Sequence, residues 1–121
     1  MGALDLLLKM ELPKPETKEI KVKRLSELCG EDVIFNIQQL SYAKVAEIKE
    51  TSSEDIDVHI LLAGVTSPDL KSKELREKFN AATPAELVKK MLIPGEITDI
   101  SREVEKLCGY RTATVEEVKK K

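Results

Sequence analysis

The chain has 121 residues, 41% hydrophobic, 35% charged and only 3% aromatic, with 22 acids against 20 bases for a net charge of -2. That length holds one domain with one modest core, and the near-neutral balance supplies no whole-protein field toward nucleic acid or an anionic membrane. So few aromatics leave little to stack on single strands; with no apolar run near the ~18–20 residues of a spanning helix and no leader pattern, a soluble intracellular address is expected.

Residues 3–10 (ALDLLLKM) predict a short helix with Leu4, Leu7 and Leu8 on one face and Leu6 off it. Pro13-Lys14-Pro15 ends it and makes a stiff, extended linker, so residues 1–18 read as a helix and linker ahead of one domain over 19–121. So short a helix is marginal in water and needs a surface, which is either its own core or another protein.

From Glu19 the period changes to two. Ile20 and Val22 alternate with Lys21 and Lys23, and after a polar connection over Ser26 to Asp32 a second run alternates at Val33, Phe35 and Ile37. This predicts a β-hairpin over about 19–40, which must pack on further elements to be stable. Lys18, Lys21, Lys23 and Arg24 give it a basic edge, readable as a phosphate strip but more commonly a guard against edge-to-edge pairing.

The rest, about 41–118, reads as helical. Ser41 is a good N-cap for a helix over Tyr42 to Glu50 that buries Val45 and Ile48, and Thr51-Ser52-Ser53 breaks it. The run from Ile56 to Val65 alternates like a strand yet begins like a capped helix; its helical neighbourhood favours helix. His59, inside it, reads as a partly buried structural residue. Ser67-Pro68-Asp69 is a turn, and Leu70, Leu75 and Phe79 mark a short helix ending near Asn80-Ala81.

Thr83-Pro84-Ala85-Glu86 is a capping box with Pro at N1, opening a helix that runs to about Leu92 because Ile93 precedes Pro94. Pro94-Gly95 forms the corner, and Glu96 places negative charge at the start of the next helix, which buries Ile97, Ile100, Val104 and Leu107 and stops at Gly109. A second T-x-x-E box at Thr114 to Glu117 could start one last turn before Lys119-Lys120-Lys121. The fold class is therefore α+β: a small single domain with an N-terminal hairpin packed on several short helices and a helical C-terminal half.

Chemistry-bearing constellations are missing. The glycines make no phosphate loop, no G-x-S-x-G or H-E-x-x-H occurs, and nothing near His59 completes a nucleophilic site. Cys29 and Cys108 with one histidine are too few for a metal site and read as two buried small hydrophobes. Glu86, Glu96, Asp99 and Glu103 each fit a capping or solvated role. No catalytic residue, cofactor or metal is expected.

From Gly64 to Tyr110 the pattern resembles a known family. It is carried by Gly64, Val65, Pro68, Leu70, Leu75 and Phe79, then by Thr83, Pro84, Glu86, Leu87 and Val88. It continues through Leu92, Pro94, Gly95, Glu96 and Ile97 to Leu107, Gly109 and Tyr110. This is similar to the XkdN-type tail assembly chaperones of PBSX-like prophages in Gram-positive bacteria. The leucine-rich start and E-I-K-V-K-R-L at Glu19 to Leu25 extend the likeness over nearly the whole chain; Cys108, where Ser is expected, and a short connection near Thr51–Glu54 depart from it.

The resemblance implies a non-enzymatic role in the bacterial host cytoplasm, binding the tape measure protein and keeping it soluble until tail tube protein polymerises around it. It also implies a longer, frameshifted form of the chain, for which codons behind Lys119-Lys120-Lys121 could be the slippery site. A groove for an amphipathic helix is expected among Leu4, Leu7 and Leu8 and the helices bearing Leu87, Met91, Ile97 and Ile100, although each of these also reads as core. The alternatives are a structural tail or baseplate component, or a small nucleic-acid-binding regulator. Against the regulator, Glu96, Asp99, Glu103 and Glu105 would repel a phosphate backbone.

Overall fold

In the computed structural model, described for residues 2–119, the alternation at Ile20, Phe35 and Ile37 becomes an antiparallel pair, β1 (Thr17–Lys21) and β2 (Ile34–Gln38). Ile20 lies opposite Phe35 and Lys18 opposite Ile37, so these side chains share the inner face while Glu19 and Asn36 face outward. A three-residue strand, β3 (Val65–Ser67), pairs antiparallel with the far side of β2 through an irregular register, giving the order β1-β2-β3. The sequence predicts the end of a helix at Val65 and a turn from Ser67; three residues are too few for periodicity to mark a strand between them.

The hairpin forms, but its connection is not the irregular loop expected over Ser26 to Asp32. It carries a helix, α2 (Lys23–Cys29), ending at Gly30. Buried Ser26 holds it in place: its hydroxyl donates to the Val22 carbonyl at 2.8 Å and accepts the Val33 N–H at 2.8 Å. With Val22 N–H bonded to Val33 O, the two strand ends are pinned at the helix base.

Five helices follow among the described residues. They are α3 (Tyr42–Thr51), α4 (Ile56–Gly64), α5 (Lys73–Lys78), α6 (Pro84–Met91) and α7 (Pro94–Leu107). The capping signals act as read. Ser41 Oγ accepts the Lys44 N–H and Thr83 Oγ1 accepts the Glu86 N–H, both at 3.1 Å. Glu86 reaches back to the Ala82 N–H rather than to its own N-cap. Pro94 is the first residue of α7, so the corner falls one step earlier, at Ile93, whose N–H donates to Glu96 Oε1 at 2.9 Å. Gly109, at φ +91°, ends α7 with a Tyr110 N–H to Glu105 O bond of 3.0 Å, a left-handed stop that suits glycine.

The core lies between the sheet's inner face and α4, α6 and α7, with Phe35, Ile37, Leu61, Leu87, Val88 and Val104 essentially sealed from solvent. Gly64 makes the tightest passage. A Cβ there would sit 2.5 Å and 2.7 Å from the two methyls of Val104, so α4 and α7 approach as closely as only glycine permits.

One of two open readings is removed, and two expectations fail. The helix at the N-terminus, α1 (Ala3–Lys9), buries none of its residues and so covers no core of its own. Residues 113–119 are non-helical despite the Thr114–Glu117 box, because exposed Val115 and Val118 find nothing to pack on and one turn cannot hold itself. Cys29 is exposed at the end of α2, while Cys108 is half-buried as expected. Of the lysine run at 119–121, residues 120 and 121 lie outside the described residues.

Candidate partner-binding site

Two surfaces emerge. The first is the N-terminal arm, α1 with the extended segment from Met10 to Glu16. Leu4, Leu6, Leu7, Leu8, Met10 and Leu12 are all more than half exposed, Leu8 at 74% and Leu12 at 92%. A contiguous set of large apolar side chains in water marks an interaction surface far more often than scattered single ones do.

The second is a groove of about 500 Å³ between the β1–α2 junction and α7. Ile20, Val22 and Ile100 supply its apolar lining; Lys21, Lys23 and Arg24 stand on one side, and Glu96, Asp99 and Glu103 on the other. Its framework is Arg24, whose Nη2 and Nε donate to Glu96 Oε1 at 2.8 Å and Oε2 at 3.0 Å, with Nη2 also reaching the Met91 carbonyl at 2.9 Å. One guanidinium thus ties α2 to the end of α6 and the start of α7, with the paired planar geometry that arginine makes and lysine cannot.

The charges are organised accordingly. The bond from Arg24, and then the Ile93 N–H, hold the Glu96 carboxyl below its ordinary 4.5, and the Arg24 guanidinium is raised in turn by Glu96. Glu103 is likewise lowered, first by Lys18 and then by Lys106. Lys21 pairs with Asp32 at 3.1 Å. Most of the basic edge noted in the sequence is therefore engaged with the protein's own acids, which leaves little of it to track a phosphate backbone.

The structure separates the candidate partner residues. Leu4, Leu7 and Leu8 are exposed together on the arm, and Met91 and Ile97 are half-buried on α6 and α7. Ile100, only 4% exposed, shows an edge at the floor of the groove, whereas Leu87 at 0% is enclosed and out of a partner's reach unless the core opens. On the arm, the exposed apolar residues that sequence reasoning missed are Leu6, Met10 and Leu12; the hint was the proline pair, which carries the segment away from any core. His59 is half-buried on α4, and Cys108 Sγ accepts the Leu40 N–H at 3.3 Å, a bond that a serine hydroxyl could also make. Among the described residues no cluster of His, Cys, Asp or Glu could hold a metal ion, and no helix is long and apolar enough to cross a membrane.

The family model of the phage XkdN-like tail assembly chaperone proteins matches residues 49–120, more than half of the chain. The protein belongs to that family, whose role is that of a chaperone rather than a catalyst. The crystal structure of the protein yqbn shares the fold, with a TM-score of 0.69 at 24% identity over 91% of this chain and 98% of its own. No curated protein matches by sequence.

Proposed function

We propose that this chaperone binds the phage tape measure protein in the bacterial host cytoplasm and keeps it soluble until tail tube protein assembles around it. The observation that carries this reading is the arm. Six exposed leucine and methionine side chains stand together in a segment that buries nothing, on a chain of which 35% is charged. Leu4, Leu7 and Leu8 offer an apolar face to an amphipathic helix, with Met91, Ile97 and the edge of Ile100 as further contacts on the body. The charged body supplies the solubility that the client lacks.

Co-expression with the tape measure protein tests this. The expected outcome is a tape measure protein that enters the soluble fraction only with this chain present and co-elutes with it on size exclusion. A client that stays insoluble with both this chain and any longer, frameshifted product of the same gene overturns the reading. Whether the codons behind residues 119–121 form a slippery run of adenines is read directly from the gene.

A further inference from the structure

The groove between the β1–α2 junction and α7 and the leucine helix α1 suit one another, and the linker decides how they can meet. The roughly seven residues from Met10 to Glu16 span about 23 Å when extended, and they enter β1 at Thr17, the far end from the groove residues Lys21 and Val22. For α1 to reach its own groove, the chain would have to reverse direction within Leu12 to Glu16, where Pro13 and Pro15 hold it extended. A second copy presents the same groove without that reversal.

The charges match as well. Once Arg24 has taken Glu96, Lys18 has taken Glu103 and Lys21 has taken Asp32, Lys23 remains on the basic side of the groove with no ion pair among the described residues. On α1, Asp5 lies on the flank of the face that carries Leu4, Leu7 and Leu8. With those leucines lowered onto Ile20, Val22 and Ile100, Asp5 can meet the rim that Lys23 occupies.

We propose that α1 of one copy docks in this groove of a second copy, and the reverse, to form an arm-exchanged dimer. Reciprocal exchange closes on itself, so it gives a two-fold dimer rather than a filament. It also supplies the surface that so short a helix needs to persist. The inference does not depend on the tape measure protein; since the two uses of the arm exclude each other, the dimer is the form of the chaperone without its client.

Sedimentation equilibrium of the full chain and its variants tests the exchange. The full chain is expected to dimerise, and the pair Leu7→Asp and Leu8→Asp to weaken the dimer about a hundredfold or more, because charge would enter an apolar groove. Lys23→Glu should weaken it about fivefold, since the lost contact occurs twice, and adding Asp5→Lys should restore it. In a mixture of isotope-labelled and unlabelled chains, contacts between the methyls of Leu4, Leu7 and Leu8 and those of Ile20 and Ile100 should appear between copies. A full chain that stays monomeric across a dilution series overturns the proposal. So does a dimer indifferent to the leucine changes, or one in which the only contacts between copies run from arm to arm.

Discussion

The α4–α7 contact and the N-terminal arm are both rich in aliphatic residues, yet they are opposites. At Gly64 the α4 backbone lies so close to the Val104 methyls that no side chain fits on α4 itself, and Leu61 and Val104 are sealed from solvent. In the arm, Leu7 is 61% exposed and no neighbour covers it. Composition does not separate the two regions. What separates them is whether the chain brings a complementary surface to the apolar one, and in the arm a proline-stiffened linker keeps it from doing so. Apolar area inside the body stabilises the fold, while apolar area in the arm stays in water, where the proposed client or second copy would cover it.

Substitutions can break that contrast in order of expected size. Leu87→Ala should cost about 2–5 kcal/mol in urea unfolding, the range for emptying an enclosed leucine site. Gly64→Ala should cost about 1–3 kcal/mol by forcing a methyl against Val104. Combining it with Val104→Ala should destabilise by less than the sum of the two, because the second change removes the methyls that the first collides with; simple additivity would mean that the close approach is not what Gly64 serves. Glu96→Ala removes both the Ile93 N–H acceptor and the Arg24 partner, for an expected loss of about 1–2 kcal/mol.

The same residue sets an acid dependence. Glu96 and Glu103 have carboxyls lowered in the folded protein, so their contribution is complete above the ordinary value of 4.5 and is lost as pH falls through the lowered values. Thermal melts should therefore show Tm declining below about pH 4.5, with a shallower decline in Glu96→Gln. The smallest effect on stability belongs to the arm. Leu7→Ser with Leu8→Ser should stay within about 0.5 kcal/mol of the parent while losing the ability to hold the tape measure protein in solution. A large loss of stability there would erase the distinction between the two regions.

Much of the fold was legible because the chain marks its helices with residues that have one physical use. Ser41, Thr83, Glu96 and Gly109 cap or stop helices as their chemistry predicts. The helix α2 was illegible for the opposite reason: it has no side-chain N-cap, and Leu28 on it is exposed, so neither cap nor stripe announced it. The Thr114–Glu117 box shows the converse, a start signal with no apolar partner to keep a turn in place. The candidate site was legible only in part. Periodicity tells that Leu87 and Ile100 are apolar on one helical face, but not which face the neighbouring helices cover, whereas Leu4, Leu7 and Leu8 stand beside a linker whose composition already says that it does not fold back.

The close passage at Gly64 also bears on the order in which the molecule can be made. Its other half, Val104, belongs to the last helix described, so the apolar side of α4 leaves the ribosome well before its cover exists. Neither the sheet nor α6 can stand in, because the space beside Gly64 is shaped for Val104. Completion of the core is thus tied to synthesis of α7, and a chain cut short before it would leave open the side of α4 on which α7 packs.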